Sequence, residues 1–433
     1  MRLSKIKKII GLLFVSLSLC SDMQLQAQSQ IAYYQNKLDT YFTKDHEVKN
    51  FVSITESGIA IYANAEDKEK GVKPEIKLSW QQVDSLKNII SYIPEKELEK
   101  LLIDKRDSMG YYMQKDSVKH TFTSHLKGMK IAIDPGHIGG VFEMGEIESR
   151  CMKLYIDSTH QVELEEGNFT FFTAQILKKK LEAQGATVML TRPDTGISSF
   201  GISYFDWKKR IKERGYVDSL KQEGLLTEKE EKLLHASLAD KAMFSEVFGP
   251  MDLSERARKV NAFQPDLTLI IHYNVNEKNT GWTQTTNKDF VMTFVGGCVT
   301  TKDLEKVAGR LNLLRLLISD DIENSVKLSS FVVKQLSGDL KVPIAKSSDA
   351  SYLSEHCLST PEPGVYSRDL ALARLIKGTL VYAEPLYQDN ANECRLLTGH
   401  GEEITGGNVP TRIQMVADSY YKAIVNYVNT LNK

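Results

Sequence analysis

Met129-Lys-Ile-Ala-Ile-Asp-Pro-Gly-His-Ile-Gly-Gly140 is the stretch from which the fold of this chain can be worked out. Its apolar run stops at Asp134-Pro135-Gly136, a pattern that predicts a buried strand ending in a tight turn. In an open α/β sheet, ligands bind beyond the carboxyl ends of the strands. His137 follows this turn directly, so it is a candidate metal ligand if the rest of the chain supplies partners.

Strand and helix patterns alternate on the C-terminal side of this stretch. Such alternation predicts an α/β fold, a mostly parallel twisted sheet with helices on both faces, over residues 127–433. The predicted strands are Lys130–Asp134, Thr187–Leu190, Leu267–Ile271, Phe290–Val295 and Thr379–Ala383, and the clearest helices are Asn168–Gln184 and Leu253–Ala262.

Residues 28–126 form a separate compositional block, predicted to be a small α+β domain of unknown role. Three long segments interrupt the α/β pattern: an irregular one at 142–164, a charged and largely helical one at 195–251, and a third at 276–363. Long insertions beside a ligand-binding edge serve as lids or recognition elements, or they are solvated decoration, and the sequence leaves both open.

The N-terminus has the pattern of a signal peptide. A segment rich in basic residues, Met1–Lys8, precedes an apolar stretch, Ile9–Leu19. Leu25-Gln26-Ala27 then resembles a cleavage site. Residues 1–27 are therefore predicted to direct export to the periplasm or cell envelope. Lipid attachment at Cys20 is a less favoured alternative. No later apolar run reaches the ~18 residues of a transmembrane helix, so none is expected in the mature chain.

Charge and cysteine content narrow the class of protein. The chain has 55 Lys+Arg against 56 Asp+Glu, a net charge of -1, which gives no reason to expect a nucleic-acid partner. Cysteines 151, 298, 357 and 394 remain after processing. They allow several disulfide pairings or none, and the sequence does not choose between these.

His137 acquires partners at other element ends. His272 closes the strand Leu267–Ile271, Glu384 ends the last strand, and Glu166 begins a helix beside Glu165. Two histidines and one carboxylate are a common catalytic zinc set that leaves one position open. A further carboxylate would be free to act as a general base.

Several short motifs, in order, resemble the zinc-dependent N-acetylmuramoyl-L-alanine amidases of the amidase-3 type. No one of these motifs is specific alone, but their common order makes the resemblance strong. They are Ile131–Gly140 with its Asp-Pro-Gly-His, Glu166-Gly-Asn168, the Thr-Arg strand exit in Val188–Asp194, Arg256–Asn261, Ile271-His-Tyr-Asn274 and Val381–Tyr387.

The resemblance implies roles for individual residues. His137, Glu166 and His272 match the ligands of one Zn²⁺ per chain, with Glu165 as a fallback for Glu166, and Glu384 matches the catalytic glutamate. Three further residues are expected to support the ligands or contact substrate: Arg192, Arg256 and Asn274. Gly364–Arg368 and Arg374 resemble a segment of the substrate groove. Four histidines match nothing in the family: His160, His235, His356 and His400.

The implied activity is zinc-dependent hydrolysis of the amide between N-acetylmuramic acid and L-alanine in peptidoglycan, for wall remodelling or cell separation. A regulatory protein that displaces an inserted lid, residues 195–251, is an expected partner besides peptidoglycan. Two alternatives stay open: an exported zinc peptidase or amide hydrolase of other specificity, and an inactive peptidoglycan-binding or regulatory module on an amidase scaffold.

Overall fold

The computed structural model describes residues 28–104, 126–279, 281–404 and 407–431. The described residues divide into two compact units, one of residues 28–104 with 298–320 and one of residues 126–297 with 321–431. The predicted signal peptide lies outside the described residues. Residues 298–320, which fall inside the third predicted insertion, group with the smaller unit.

The smaller unit is an antiparallel three-stranded sheet with helices, as the α+β pattern of this block predicts. Its strands are β1 (Val52–Thr55), β2 (Gly58–Ile61) and β3 (Ile76–Leu78). Its helical segments are residues 28–41, His46–Phe51, Trp80–Leu86, Ile90–Tyr92, Glu95–Leu102, Thr301–Leu304 and Val307–Ile318. Arg310 ties the last helix to the rest through a two-point bond to Glu75, at 2.6 and 2.8 Å.

The larger unit is built on a seven-stranded sheet of order β10-β11-β9-β12-β8-β4-β7. Four of its six neighbouring strand pairs are parallel, so the predicted α/β class with a mostly parallel sheet is confirmed. These strands are β4 (Lys130–Pro135), β7 (Thr187–Leu190), β8 (Leu267–Ile271), β9 (Met292–Val295), β10 (Cys357–Ser359), β11 (Val365–Arg368) and β12 (Leu380–Glu384). Two separate hairpins are β5 (Cys151–Tyr155) with β6 (Gln161–Glu165), and β13 (Gly401–Ile404) with β14 (Gly407–Pro410).

Helices cover both faces of this sheet. Glu166–Ala183 packs against Thr411–Leu431, which in turn packs against Asp321–Leu340. Gly249–Phe263 and Ala371–Leu375 pack together on apolar side chains of β4, β8 and β12. The remaining helical segments are Phe142–Glu148, Tyr204–Arg210, Tyr216–Gln222, Glu228–Leu234, Asp240–Met243, Phe244–Phe248, Ser351–His356 and Ala391–Leu397.

The segment 142–164 is ordered, so its prediction as irregular was wrong. It forms the helix Phe142–Glu148 and the β5–β6 hairpin. Met152 and Leu154 alternate with exposed residues along β5, and burial of this short apolar face stabilises the hairpin. The third predicted insertion also supplies β9 and β10, so part of it belongs to the central sheet. The predicted helical character of 195–251 is confirmed.

No helix in the described part of the chain is long and apolar enough to cross a membrane. No disulfide joins the four cysteines of the described residues to one another, and three of the four are buried. The alternative without disulfides is therefore the one observed.

Candidate metal centre

The candidate site forms where three neighbouring parallel strands end. β12, β8 and β4 are adjacent in the sheet, with Ala383 beside Ile271 and Ile271 beside Pro135. Because parallel strands end at the same edge, the residues that follow them meet there. This register brings His137, His272 and Glu384 to the edge at which these strands end, although the three residues are widely separated in sequence.

His137, Glu166 and His272 converge on one point. One ligand atom from each lies within 4.8 Å of the other two. Oε1 of Glu166 is 3.2 Å from Nε2 of His137 and 3.0 Å from Nδ1 of His272. Their side chains are only 14%, 7% and 10% exposed, in chain order. The three residues can therefore hold one metal ion in a largely dry setting.

Two backbone features bring the ligands this close. His137 has a left-handed conformation, with φ 61°, which turns the chain sharply after β4. Gly136 must lack a side chain, because a Cβ there would lie 2.4 Å from Nε2 of His272 and 2.6 Å from the carbonyl oxygen of Ile271. The Asp-Pro-Gly-His turn is thus shaped around the second imidazole.

Glu148, which the sequence did not predict, orients the first imidazole. Its Oε1 lies 3.0 Å from Nδ1 of His137, and its Oε2 accepts a 3.0 Å hydrogen bond from the amide of Ile138. This contact leaves Nε2 of His137 turned toward Glu166. Carboxylates commonly support metal-binding histidines in this way. The sequence offered no signal for it, since Glu148 lies in the segment predicted to be irregular.

The charges of the cluster influence one another. Burial lowers the pKa of His137, but Glu166 and Glu148 outweigh that effect and its pKa is raised. Burial raises the pKa of Glu166, but the two imidazoles outweigh it and hold the pKa well below the ordinary value. Burial lowers the pKa of His272.

Glu384 lines a cavity of about 320 Å³, and His137, Glu166 and His272 line the same cavity. Its Oε2 atom is buried and has no hydrogen-bond partner among the described residues. Burial and the nearby charge of Glu166 raise the pKa of Glu384 well above its ordinary value. A carboxyl in this position is able to exchange protons with a molecule bound in the cavity.

A family model described as N-acetylmuramoyl-L-alanine amidase matches residues 131–404, a range that contains all four of these residues. The chain belongs to this family. Solved structures of several N-acetylmuramoyl-L-alanine amidases are similar to it. The CwlD amidase from Clostridioides difficile, in complex with the GerS lipoprotein, is 15% identical, with a TM-score of 0.38 over 70% of this chain and 99% of that one.

The Ami1 amidases of two mycobacteria are similar at the same level. The apo form from Mycobacterium abscessus is 14% identical, with a TM-score of 0.37 over 70% of this chain and 99% of that one. The enzyme from Mycobacterium smegmatis is 14% identical, with a TM-score of 0.38 over 71% of this chain and 100% of that one. No curated protein sequence matches this chain.

In this amidase, Arg256 holds the backbone of the loop that carries the candidate ligand His137. It is buried, its Nε donates to Asp252 at 2.6 Å, and its Nη atoms donate to the carbonyls of Pro135 and His137 at 2.9 and 2.8 Å. It thus fixes the backbone that carries His137 and does not face the cavity with Glu384.

Arg192 and Asn274 lie close to the ligands in different ways. Arg192 is buried and donates to the carbonyls of Pro135 and Gly167, at 3.1 and 2.6 Å, so it joins the first ligand loop to the helix of Glu166. Asn274 lines the cavity and donates to the hydroxyl of Tyr352 at 2.9 Å.

Other predicted residues lie apart from the cluster. Glu165 is bound by the side-chain amide of Asn168 at 2.9 Å and is not among the converging ligands. Arg374 pairs with Asp369 at 3.2 Å, whereas Arg368 lines the cavity. The four histidines that matched no family motif are all exposed: His160, His235, His356 and His400.

His137 and His272 also line a second cavity, of about 450 Å³. Residues of the predicted insertion 195–251 form part of its wall, among them Lys241, Phe244 and Ser245. None of the insertion lines the cavity that contains Glu384. The insertion therefore lines a cavity that His137 and His272 also line.

Proposed function

We propose that this chain is a zinc-dependent enzyme that hydrolyses the amide between N-acetylmuramic acid and L-alanine in peptidoglycan. The observation that carries the proposal is the convergence of His137, Glu166 and His272 at a cavity that Glu384 also lines. Family membership supports the reaction class. Remodelling of the wall or separation of cells is the cellular role that such hydrolysis would serve.

The donor set fits zinc. Two imidazole nitrogens and one carboxylate are a common catalytic zinc set, and the bond between Glu148 and His137 gives the imidazole the support that zinc ligands usually have. A zinc ion held by these three residues would polarise the amide carbonyl and acidify a water molecule.

Glu384 is the proposed proton carrier. Hydrolysis adds hydroxyl to the lactyl carbonyl carbon and a proton to the alanine nitrogen, and the carbon–nitrogen bond breaks. Glu384 takes the proton from the attacking water and returns it to the departing amine. A carboxyl with a raised pKa is a stronger base when ionised, so burial prepares Glu384 for both transfers.

The proposed location is outside the cytoplasm, in the periplasm or cell envelope, where peptidoglycan is found. The residue pattern of 1–27 supports export, and lipid attachment at Cys20 is a less favoured variant of the same location. We also propose that the insertion 195–251 controls access, with a regulatory protein as partner, because this insertion borders the second cavity.

The decisive experiment combines metal analysis with a digest of purified sacculi. The zinc-loaded chain should release peptides that carry a free L-alanine amine, detected by mass spectrometry. Cleavage within the peptides would indicate a zinc peptidase instead. Bound zinc without any cleavage would indicate an inactive peptidoglycan-binding module, and a chain that neither binds zinc nor cleaves would contradict the proposal entirely.

A further inference from the structure

Arg368, the last residue of β11, places a positive charge in the cavity that contains Glu384. Its Cζ atom lies 5.1 Å from the ring centre of Phe294 and 4.9 Å from that of Tyr352. Aromatic contacts of this kind hold a guanidinium by its faces and leave the N–H groups at its edge free to bond in the plane.

The donors of Arg368 have no acceptor among the described residues. The nearby arginines differ: Arg256 pairs with Asp252, Arg192 binds backbone carbonyls, and Arg150 donates to His137 and to the carbonyl of Ser149. A half-buried guanidinium with five unused N–H groups is costly unless a ligand or water satisfies it. The N–H groups of Arg368 are therefore available to bind an anion in the cavity.

The acidic residues of the cavity do not meet this need. Both carboxylate oxygens of Glu277 are held by Ser351 and by the amide of Tyr352, at 2.7 to 3.4 Å. The charge of Arg368 acts against the rise in the pKa of Glu384, so the two side chains are near each other. No hydrogen bond joins Arg368 to Glu384. Arg368 thus faces the reacting region without being neutralised by it.

We propose that Arg368 binds a carboxylate of the peptide on the leaving-group side of the scissile amide. This inference rests on the proposed function. The muramoyl sugar is uncharged, because its only carboxyl is the one tied up in the amide, so the anionic groups near the cut bond belong to the peptide. A planar guanidinium binds a carboxylate through two parallel hydrogen bonds, and Arg368 therefore selects peptides whose carboxylates are free over peptides in which they are amidated.

The test uses two forms of the same sacculi, one native and one with its peptide carboxylates converted to amides by carbodiimide and ammonia. The initial release of free L-alanine amine is measured at limiting substrate for the zinc-loaded wild-type chain, for Arg368→Gln, and for Arg395→Gln as the matched control. Arg395 bonds to the carbonyls of Ala391 and Ile156 and lies outside the cavity. Zinc content and thermal unfolding establish that each variant is folded.

We expect the wild type and Arg395→Gln to prefer native sacculi by about tenfold, since hydrogen bonds to charged groups are stronger than those to neutral ones. Arg368→Gln should lose most of this preference, chiefly through a higher KM for native material. Arg368→Lys, which keeps the charge but not the two-point geometry, should fall between them and decides the matter if Arg368→Gln does not fold.

Equal rates on both substrates for the wild type, or an unchanged preference in Arg368→Gln, would overturn the role of Arg368 while leaving the proposed function intact. Failure of the wild type to release L-alanine amine from either form would instead refute the proposed function.

Discussion

The Nδ1 atom of His137 lies 3.0 Å from Oε1 of Glu148, a residue at the end of a short helix eleven positions further along the chain. The other oxygen of Glu148 accepts the amide of Ile138. One carboxylate thus fixes both the imidazole and the backbone that carries it, so the metal affinity of the site should depend on a residue that does not bind the metal.

Glu148→Gln should weaken zinc binding by about 10- to 100-fold, the usual effect of removing the partner of a metal-binding histidine. Competition with a chromophoric chelator measures the affinity. Glu143→Gln, on the exposed side of the same helix, is the control and should bind zinc as the wild type does. An unchanged affinity in Glu148→Gln would show that the contact with His137 is not needed.

Glu384→Gln should retain zinc and lose hydrolysis of sacculi by about 100- to 10,000-fold, the range attributed to a general acid–base residue. His137→Ala should lose the metal as well, because it removes a ligand. Metal content and released L-alanine amine are measured on the same preparations. Turnover near the wild-type level in Glu384→Gln would assign the proton transfer to another group.

Gly136→Ala should destabilise the folded chain by about 1–3 kcal/mol, the usual cost of overpacking, and should impair metal binding. The added Cβ would collide with His272 and with the carbonyl of Ile271. Gly338→Ala is the comparison, since a Cβ at this helical position meets nothing within 4 Å. That variant should be slightly more stable than the wild type in denaturant unfolding.

Asp289→Asn should raise the unfolding temperature by a few degrees at pH 8 and have little effect at pH 4. Burial raises the pKa of Asp289 to about 7 from an ordinary 3.8, so the folded state holds this proton more tightly than the unfolded state. Stability is therefore lost as the pH rises from about 4 through 7. An asparagine side chain does not titrate in this range. Its oxygen can still accept the hydrogen bond that the amide of Tyr387 donates to Oδ1 of Asp289 at 2.8 Å.

Calorimetry at both pH values is the measurement for this substitution. Asp218→Asn, at an exposed carboxyl, serves as the control and should show no gain at pH 8. If Asp289→Asn and the wild type keep the same difference at both pH values, burial of Asp289 does not set the pH dependence.

Ser245→Trp should test whether the second cavity admits substrate. Ser245 lines this cavity, and an indole there would fill part of its roughly 450 Å³. We expect slower hydrolysis of sacculi with zinc content unchanged. Glu246→Trp adds the same bulk at a neighbouring exposed position that does not line the cavity, and should hydrolyse normally. Equal rates for both variants would mean that substrate enters only beside Glu384.

The central sheet could be predicted from sequence where strands are long and buried on both faces. β8 is buried at every position, so its apolar run stands out from its surroundings. β10 and β11 are short and lie toward the edge of the sheet, and β5 and β6 alternate over only five residues each. Such strands are stabilised by pairing with neighbours, which leaves little trace in the local pattern of apolar residues.

Three residues of the candidate site were predictable for a related reason. His137, His272 and Glu384 each lie at or just beyond the carboxyl end of a strand, and parallel neighbours bring such residues together without any knowledge of side-chain packing. Glu148 ends a short helix that is followed by a left-handed turn at Ser149, with φ 59°. Neither that turn nor the contact of Arg368 with the rings of Phe294 and Tyr352 follows a regular spacing in the sequence, so neither could be predicted from the chain alone.

The order of strands in the sheet makes assembly of the candidate site depend on pairing between distant parts of the chain. β4 and β8 place His137 and His272, but β12, which carries Glu384, comes more than a hundred residues after β8 in the chain and lies between β8 and β9 in the sheet. Contacts between residues so far apart in sequence form slowly during folding, because a long loop must be closed first. Glu384 therefore joins the two histidines only when β12 has paired with its neighbours.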